Sequence, residues 1–475
     1  MPHSFSLEDQ ELFARLSGDY NPLHIDPVAA RRLMFGRPVV HGIHVLLLAL
    51  DRWLESETQR VRLKNLTARF RAPAHLNEPI EFAAIPETSD AVKIVVTANK
   101  VKLLIVTLSY QKQRESNRTI PCEVPVRGSC QDRSAAELIT LGGRLQLCLE
   151  RSIASRLFPH VLEQLPPEQV GALLAMSRLV GMEAPGLHSI FAGLDLKGSD
   201  EERDPVLIYR SESYDDRLSL LNLRVAAPGF SGLLSAMLRP APKEQATIAA
   251  IRAIVRPDEF RGERALVVGG SRGLGEVAVK GLVAGGAQVK FTFHVGAADA
   301  ERIVSEIVAD HGAVECFAYD VLSNAADLQS HVEAWSPTLL CYFATPFIFS
   351  AIKGRFSPNR FLDFCDYYVR GLHNTFQATR RLGSELRYVL CPSSSAIDEL
   401  PLRLGEYAAA KSAGETLCRF LEQAHPGIRI HCPRWPRLAT DQTASLLAID
   451  TQDPPETVLR ALREMRAAAG AHTQG

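Results

Sequence analysis

The first 115 residues combine one strongly apolar stretch with four segments in which apolar and polar positions alternate. Apolar side chains fill most positions from 39 to 55, and this density predicts a long buried helix. Before that helix we expect a loop, because the Asn21-Pro22 pair interrupts any smooth helix. The alternating segments are rich in β-branched residues and predict half-buried strands: "NLTARFRAPA", "EPIEFAAIPE", "AVKIVVTANK" and "KLLIVTLSYQK".

The same order of elements recurs between residues 126 and 240. The segment "EQVGALLAMSRLVG" predicts a helix, and "MEAPGLHS" predicts a break after it. The repeated order indicates a duplicated fold, although few residues are identical between the two halves. Four segments that resemble strands follow the break: "SIFAGLDL", "PVLIYRSESY", "LSLLNLRVAA" and "LLSAMLRP".

The pattern changes again in the last part of the chain. Residues 116–125 are polar and contain proline, and residues 241–261 are rich in arginine and proline, so both predict connecting segments. From residue 262 strands and helices alternate, which is typical of an α/β fold with a doubly wound parallel sheet. We therefore expect three folded regions, at residues 1–115, 126–240 and 262–475.

Composition and charge narrow the classes of protein. A chain of 475 residues exceeds what one core usually supports, and 46% apolar with 23% charged residues is the composition of a globular protein. The 53 lysine and arginine residues nearly cancel the 54 acidic residues, so no general field attracts nucleic acid or an anionic membrane. Nine cysteines without a CxxC pair argue against a disulfide framework or a zinc knuckle. Because the N-terminus shows no signal peptide and no apolar stretch is long enough to span a bilayer, we expect a cytoplasmic protein without membrane insertion.

The third region opens with a glycine-rich turn between a strand and a helix. Apolar residues 265–268 lead into "GGSRGLG", where Gly269, Gly273 and Gly275 follow a GxxxGxG spacing. Glycine at these positions allows a tight turn and lets a pyrophosphate approach the backbone, while the helix N-terminus offers free N–H groups to the phosphates. Taken alone, the pattern also fits a plain turn between a strand and a helix.

A second motif in this region changes that balance. Tyr407 and Lys411 are four residues apart in a sequence that favours a helix, so they share one face. A tyrosine donates a proton poorly at neutral pH, and an ammonium one turn away favours the phenolate. Ser394, thirteen residues before Tyr407 at the end of an apolar strand, could bind the same carbonyl oxygen. The three residues are suited to hydride addition to a ketone.

Together these motifs make residues 262 to about 445 resemble the short-chain dehydrogenase/reductase family. The resemblance implies a Rossmann-type fold in which Ser394, Tyr407 and Lys411 are catalytic. Because Arg272 and His294 stand where an acid that binds the ribose hydroxyls is absent, we expect NADP (NADPH) in preference to NAD. The resemblance and the turn together imply a set of residues that contact the cofactor: Gly269, Ser271, Arg272, Gly273, Leu274, Gly275, His294, Asp320, Val321, Tyr407, Lys411 and Thr440.

The chain departs from this family at three places. Where the family has an Asn-Asn-Ala-Gly segment, the chain has "YFATP", residues 342–346. Trp435-Pro436 replaces the usual Pro-Gly, and Tyr368 aligns with the catalytic asparagine, which supports a water relay. If one of the regions has lost its catalytic activity, these departures indicate that it is the reductase region.

Near the start, the segment "SGDYNPLHID" places Asp19 and His24 on either side of the Asn21-Pro22 bend. The residue before a proline is pushed toward extended geometry, so side chains five positions apart can converge on one pocket. The longer segment "GDYNPLHIDPVAARRLMFGRPVVHG" resembles the MaoC-like (R)-specific enoyl-thioester hydratases and dehydratases. This resemblance covers about 115 residues and implies a hotdog fold, with Asp19 and His24 as the catalytic pair.

The chemistry of hydration accounts for these residue types. Addition of water to an enoyl thioester needs one group that takes a proton from water and another that gives one to Cα, and an imidazole beside a carboxylate can do both. Backbone N–H groups around Gly42, at the start of the apolar helix, could stabilise the enolate oxygen.

Several histidines and acids near this motif have structural alternatives. His24 could satisfy backbone groups in the turn, and we favour Asp26 as a helix cap before Pro27. We interpret His41 and His44 as structural and His188, in the middle region, as a loop residue. A metal site built from His24, His41 and His44 has no support in their spacing, so we expect no metal.

Two hypotheses of different classes remain. The first is a bifunctional enzyme that reduces 3-oxoacyl thioesters and interconverts (R)-3-hydroxyacyl and trans-2-enoyl thioesters, with the middle region as a second, non-catalytic hotdog that completes a double hotdog. The second holds that only the hydratase site is active and that the reductase region binds dinucleotide or serves as a scaffold. The expected partners are thioesters of coenzyme A or acyl carrier protein, without nucleic acid, and we expect a homo-oligomer.

Overall fold

The structure of the chain is a computed structural model that divides into two compact units. Residues 1–241 with 445–447 form the first unit, and residues 242–444 with 448–475 form the second. Residues 116–119 of the expected linker lie outside the described residues. No helix in the described part of the chain is long and apolar enough to cross a membrane. The structure describes residues 2–113, 120–201, 203–323, 326–349, 353–382, 385–446 and 449–470.

Nine strands of the first unit form one antiparallel sheet. In chain order they are β1 (Val61–Phe70), β2 (Glu81–Thr88), β3 (Ala91–Ala98), β4 (Val101–Lys112), β5 (Gly142–Gln146), β6 (Ser189–Ser199), β7 (Val206–Asp215), β8 (Leu220–Ala227) and β9 (Gly229–Leu238). Their order in space is β2-β3-β4-β1-β6-β9-β8-β7-β5. β1 and β6 join the two halves, with Asn65 opposite Lys197 and Arg69 opposite Gly193.

The described residues of the first unit also form eight α-helices, two of which are strongly apolar. Nearly every side chain of the two longest apolar helices, one in each half, is buried, and both belong to one hydrophobic core that contains residues of both halves. A π-helical turn, Leu179–Glu183, follows the last helix. The helices are α1 (Leu7–Ser17), α2 (Pro22–Ile25), α3 (Pro27–Ala30), α4 (Gly42–Leu54), α5 (Ala135–Ile139), α6 (Arg151–Leu157), α7 (Pro159–Gln164) and α8 (Pro167–Arg178).

The structure corrects one expectation about the N-terminal segment, which is largely helical instead of a loop. The Ser6 hydroxyl accepts from the Asp9 N–H, and the Asp9 carboxylate accepts from the Ser6 N–H, so a capping box starts α1. Gly18, with φ of 80°, ends it in the left-handed region. The expected break at Asn21-Pro22 is present, because α2 begins at Pro22.

The second unit contains six parallel strands, one short two-stranded sheet and nine helices among its described residues. The strands are β10 (Arg264–Val268), β11 (Gln288–Phe293), β12 (Glu315–Ala318), β13 (Leu339–Tyr342), β14 (Tyr388–Leu390), β15 (Ser393–Ser394), β16 (Arg429–His431) and β17 (Arg434–Trp435). The helices are α9 (Ile248–Arg252), α10 (Gly273–Ala284), α11 (Ala297–Ala309), α12 (Ala326–Val332), α13 (Pro358–Cys365), α14 (Leu372–Leu382), α15 (Ala396–Glu399), α16 (Gly405–Ala424) and α17 (Pro454–Gly470). A π-helical turn, Asp366–Gly371, lies between α13 and α14.

The order of the parallel strands is that of a doubly wound Rossmann sheet. It runs β12-β11-β10-β13-β14-β16, with the first strand of the unit at the centre. The prediction of a parallel α/β sheet is therefore confirmed. The expected connector packs on this unit, because Ile248 and Ile251 of α9 are buried in its core and the Ile248 N–H donates to Glu306 Oε1 at 2.7 Å.

Candidate functional site

The loop between α1 and α2 carries the first candidate site. Asn21 shapes this loop, because its side-chain oxygen accepts from the Leu23 N–H at 3.0 Å and caps α2, whose first residue is Pro22. Asp19 lies before the bend and His24 lies on α2. The bend brings them together: one side-chain ligand atom each of Asp19, His24 and His41 lies within 4.8 Å of the others.

Hydrogen bonds fix the ring of His24 in this pocket. The Nδ1–H of His24 donates to the Val39 carbonyl oxygen at 2.7 Å, which leaves Nε2 as the acceptor nitrogen of a neutral imidazole. The ring also stacks on His41, with 3.9 Å between ring centroids. Burial, aided by the positive charge of Arg239, lowers the pKa of His24 to about 4. His24 is therefore a neutral proton acceptor at physiological pH.

The carboxyl group of Asp19 is buried, and its pKa is shifted in the opposite direction to that of His24. Burial raises the pKa of Asp19 to about 7, although hydrogen bonds from the Ser177 hydroxyl and the Asn21 N–H oppose this shift. The Ser177 hydroxyl donates to Oδ2 at 2.8 Å and the Asn21 N–H to Oδ1 at 3.3 Å. Near neutral pH Asp19 therefore populates both its protonated and its ionised form, as a group that gives and takes protons requires.

The second half of the first unit supplies residues that sequence reasoning missed. Ser177 lies on α8, and Gly181 lies in the π-helical turn after it. A Cβ added to Gly181 would lie 2.0 Å from Asp19 Oδ1, so only glycine leaves room for the carboxylate. The Asn21 side-chain amide donates to the carbonyl oxygens of Gly181 at 2.9 Å and Gly186 at 3.1 Å. The sequence signal that could have indicated this contact is Ser177, a polar residue within an apolar helix.

Gly42 stands at the start of α4, as the hydration hypothesis requires. No described side chain caps this helix, because His41 at the cap position makes no such bond. A Cβ added to Gly42 would lie 3.1 Å from the Phe70 ring, so a larger residue would have to displace that ring. The Phe70 ring therefore packs closely against the start of α4, where the N–H groups of a helix can stabilise negative charge.

His41 makes a metal a poor fit to the cluster of Asp19, His24 and His41. Its Nε2 donates to the Asp19 carbonyl oxygen at 3.0 Å, and its Nδ1 lies 3.0 Å from Gln10 Oε1. Both ring nitrogens therefore face oxygen atoms of the protein.

The other polar residues near the motif have structural contacts. Asp26 caps α3 by accepting from the N–H groups of Val28 at 2.9 Å and Ala29 at 3.0 Å. The His44 ring is buried and stacks on Phe13 at 4.6 Å. His188, taken as a loop residue, has the Asp132 carboxylate 3.6 Å from its Nε2.

The glycine turn of the second unit has the geometry of a close approach between strand and helix. A Cβ added to Gly275 would lie 2.1 Å from the Gly269 carbonyl oxygen. Gly269 has φ of 79°, in the left-handed region that favours glycine, and Gly273 begins α10. Ser271 in the turn is buried, and Leu274 packs against the core. The turn therefore leads directly into the N-terminus of α10, a 12-residue helix whose first backbone N–H groups can bind an anion.

The other expected cofactor residues lie at the carboxyl ends of the strands. Thr440 adjoins the turn, with its Cγ2 3.8 Å from a Cβ added to Gly273. Arg272 Nη1 lies 3.9 Å from Asp441 Oδ2, and His294 Nε2 lies 3.9 Å from Asp320 Oδ2. The side chain of Val321 is buried in the core, so its backbone is the part left for a ligand.

Tyr407 and Lys411 lie on α16 next to Tyr368. Lys411 Nζ donates to the Pro392 carbonyl oxygen at 2.8 Å and lies 4.1 Å from the centre of the Tyr368 ring, compared with 6.0 Å from the centre of the Tyr407 ring. Ser394, in β15, accepts from the Ala396 N–H at 3.2 Å. The ammonium is thus held by a carbonyl and by an aromatic ring that the family does not have there.

The departures from the family contact one another. The Tyr368 hydroxyl lies 2.5 Å from Thr345 Oγ1, and the Tyr342 hydroxyl donates to the Tyr367 carbonyl oxygen at 2.8 Å. Burial raises the pKa of Tyr368 well above the usual value of a phenol. Residues of the "YFATP" segment therefore contact Tyr368 and its neighbour Tyr367, and the raised pKa makes Tyr368 unsuited to lose a proton near neutral pH.

Comparison with known proteins identifies the first region. Residues 2–105 match the protein family described as MaoC like domain, and they form a MaoC-like domain. A 63-residue segment is 40% identical to the peroxisomal hydratase-dehydrogenase-epimerase of Saccharomyces cerevisiae and covers 12% of this chain and 7% of that protein. A 39-residue segment is 49% identical to the (R)-specific enoyl-CoA hydratase of Aeromonas caviae, covering 8% and 29%.

Another curated protein and a solved structure are also similar to parts of this chain. A 76-residue segment is 33% identical to the mitochondrial 3-hydroxyacyl-[acyl-carrier-protein] dehydratase of Arabidopsis thaliana, covering 16% of this chain and 45% of that protein. The chain thus spans less than half the length of each of these curated relatives. A short-chain dehydrogenase structure from Burkholderia cenocepacia in complex with NADP is 23% identical, with a TM-score of 0.39, and covers 43% of this chain and 90% of that chain.

Proposed function

We propose that the chain is a bifunctional acyl-thioester enzyme built on its MaoC-like domain and its Rossmann-type unit. The first site interconverts (R)-3-hydroxyacyl and trans-2-enoyl thioesters of coenzyme A or acyl carrier protein, and the second reduces 3-oxoacyl thioesters with NADPH. The observation that carries the proposal is the proximity of buried Asp19 and partly buried His24, whose pKa values are shifted in opposite directions. The two reactions share the hydroxyacyl thioester, so their fusion raises its local concentration.

The hydration step uses both members of this pair. His24 Nε2 accepts a proton from water while the water oxygen forms a bond to Cβ, and the π electrons of the Cα=Cβ bond move toward the thioester oxygen. N–H groups at the start of α4, beside Gly42, stabilise the negative charge on that oxygen. The protonated Asp19 carboxyl then gives its proton to Cα, and the thioester carbonyl forms again. Transfer of the proton from His24 to Asp19 restores both groups, and their separation of less than 4.8 Å supports this step.

Hydration of crotonyl-CoA, followed by the loss of absorbance of the conjugated thioester, tests the first site. We expect the wild-type chain to hydrate the substrate and the Asp19→Asn variant to lose this reaction while it retains any NADPH oxidation. If the wild-type chain hydrates neither coenzyme A nor carrier-protein thioesters, the proposal for this site is wrong.

The reductase proposal rests on the Rossmann sheet and the glycine turn. The turn fits a dinucleotide, because Gly273 begins α10 in the left-handed region and Gly275 leaves no room for a Cβ against the Gly269 carbonyl oxygen, so the helix N-terminus lies close to the end of β10. When bound, the nicotinamide supplies hydride to the carbonyl carbon. Tyr407 then donates the proton that the carbonyl oxygen requires, and Ser394 hydrogen-bonds the same oxygen.

The preference for NADP rests on Arg272 and His294, which we assign to the 2′-phosphate. Both face a carboxylate, because Arg272 lies beside Asp441 and His294 beside Asp320. The ratio of kcat/KM for NADPH to that for NADH measures this preference. We expect a ratio above one in the wild-type chain and a fall in the Arg272→Ala variant, and an unchanged ratio would contradict the assignment.

The alternative function, in which only the hydratase site is active, has its own supporting observation. Lys411 is held by the Pro392 carbonyl and the Tyr368 ring, and its Nζ lies farther from the centre of the Tyr407 ring, at 6.0 Å, than from that of Tyr368, at 4.1 Å. Oxidation of NADPH with acetoacetyl-CoA distinguishes the two. Turnover that Tyr407→Phe abolishes supports the bifunctional enzyme, whereas absence of turnover together with tight binding of NADPH supports a dinucleotide-binding module.

We also propose that the first unit is a double hotdog, with a first hotdog at residues 1–115 and a second, without its own catalytic pair, at 126–240. The nine-stranded sheet with one long apolar helix from each half supports this assignment. In the same scheme residues 241–261 connect to the reductase region at 262–475. Formation of a homo-oligomer remains a prediction that sedimentation of the purified chain would test.

A further inference from the structure

Arg239, directly after β9, is a buried cation without a counter-ion among the described residues. The side chain is 1% exposed. Its Nη2 donates to the Leu187 carbonyl oxygen at 2.7 Å, whereas Nε and Nη1 have no hydrogen-bond partner in the part of the chain that the structure describes. Burial lowers the pKa of Arg239 only to about 10, so the guanidinium stays charged at neutral pH.

Such a group does not stabilise the fold by its charge. Transfer of a charge out of water is unfavourable unless a counter-ion and hydrogen bonds compensate it, and Arg239 has one hydrogen bond to a carbonyl. Replacement of buried charges by apolar side chains of similar size is often neutral or stabilising. The presence of a charge at this position therefore calls for an explanation outside folding.

The contacts of Arg239 lead directly to the hydratase site. The Leu187 carbonyl oxygen that it binds also accepts from the Asn21 side-chain amide at 3.3 Å. The Asn21 N–H in turn donates to Asp19 Oδ1. One carbonyl thus connects the guanidinium to the loop that carries Asp19 and His24.

The charges that face His24 come from several elements of the first unit. Asp19 belongs to the loop after α1, His41 and His44 to the start of α4, and Arg239 to the segment after β9. Burial lowers the pKa of both His41 and His44 well below the usual value, so these two rings are neutral. Among these described groups Arg239 is therefore the permanent positive charge, and it opposes protonation of the imidazole.

On the premise that the first site is a hydratase, we propose that Arg239 is a positioning residue of that site. It holds the Leu187 carbonyl beside Asn21 and supplies the unpaired positive charge that keeps His24 available as the proton acceptor. The second half of the first unit is then part of the catalytic machinery, although it lacks its own aspartate and histidine pair.

The test uses the full chain with Arg239→Met, which removes the charge and keeps most of the volume, and Arg239→Lys, which keeps the charge. The matched control is Arg224→Met, which removes an exposed arginine paired with Glu212. We expect Arg239→Met to melt no lower than wild type, to lose about tenfold or more in kcat for crotonyl-CoA hydration with KM nearly unchanged, and to shift the acidic limb of its pH profile upward. Arg239→Lys should keep the position of that limb, and Arg224→Met should behave as wild type.

A variant Arg239→Met with wild-type kcat and pH profile, or with a loss explained by a lower melting temperature alone, would overturn the inference. Failure of the premise gives a different result, because then the wild-type chain itself hydrates no enoyl thioester. In that case an NMR titration of the His24 ring proton still tests whether the charge of Arg239 acts on the imidazole. The His24→Gln variant assigns the signal. An upward shift of the His24 midpoint in Arg239→Met supports the electrostatic contact, and no shift refutes it.

Discussion

Each of the two candidate sites contains the residues that the sequence motifs predict, yet the residues packed around them differ. In the first unit buried Asp19 and partly buried His24 lie close together, and hydrogen bonds from the Ser177 hydroxyl and to the Val39 carbonyl hold them in place. In the second unit Lys411 is bound to a carbonyl and to the ring of Tyr368. A sequence motif therefore shows which candidate catalytic residues are present. The residues packed around the motif determine the protonation state and orientation of those side chains.

The largest expected effect concerns the imidazole of the first site. We expect His24→Gln to lower kcat/KM for crotonyl-CoA hydration by about 10³-fold, because the glutamine cannot accept the proton of water. NADPH-dependent reduction of acetoacetyl-CoA should stay unchanged in this variant, since the reaction belongs to the other unit. Retained hydration in His24→Gln would place the chemistry elsewhere and remove the contrast between the sites.

A smaller loss is expected from a residue that only makes room for the carboxylate. In Gly181→Ala the added methyl group would lie 2.0 Å from Asp19 Oδ1, so the carboxylate must move and kcat for hydration should fall by about 10²-fold. Gly128→Ala is the matched control, because nothing lies within 4 Å of a Cβ added there. Equal rates in the two variants, measured with crotonyl-CoA, would show that the second half does not shape the site.

The third prediction concerns the second site and introduces the asparagine that the resemblance to short-chain dehydrogenases/reductases leads one to expect at position 368. Tyr368→Asn removes the ring under Lys411 Nζ, and we expect NADPH oxidation with acetoacetyl-CoA to rise by about tenfold. Tyr368→Phe is the control, since it keeps the ring and removes only the hydroxyl contact with Thr345. A rise in both variants, or in neither, would mean that the ring is not what restrains the lysine.

The smallest effect is on stability and follows from the raised pKa of Asp19. A carboxyl group whose pKa is higher in the folded than in the unfolded state stabilises the fold below its unfolded pKa, and this contribution is lost as the pH rises through about 7. We expect Asp19→Asn, which cannot ionise, to melt about 2 °C or more above wild type at pH 8 and to gain less at pH 5. The comparison is made by calorimetry, and a lower melting temperature of the variant at pH 8 would contradict the burial of an ionisable group.

The sequence predicted the motifs well because each lies within one short segment. The bend at Asn21-Pro22 and the turn at Gly269 to Gly275 follow from local backbone preferences, and the structure has both. Helix α1 was missed although its capping box of Ser6 and Asp9 can be read directly from the sequence. Attention to polar residues in the first turn would have found it.

The remaining parts of the site depend on contacts between distant segments. Ser177 and Gly181 touch Asp19 from about 160 positions away along the chain, and no spacing rule connects them. Arg239 is further still, and its lack of a partner is visible only in three dimensions. The alignment of Tyr368 with an asparagine was visible in the sequence, but its position under Lys411 was not.

The most direct test of the central claim is the product that the purified wild-type chain forms from crotonyl-CoA, analysed by chiral chromatography. The pocket of Asp19 and His24 in a MaoC-like domain predicts 3-hydroxybutyryl-CoA of the R configuration, formed at a rate that exceeds the Asp19→Asn variant by about 10³-fold. Formation of the S product, or equal rates for the wild type and the variant, would contradict the account.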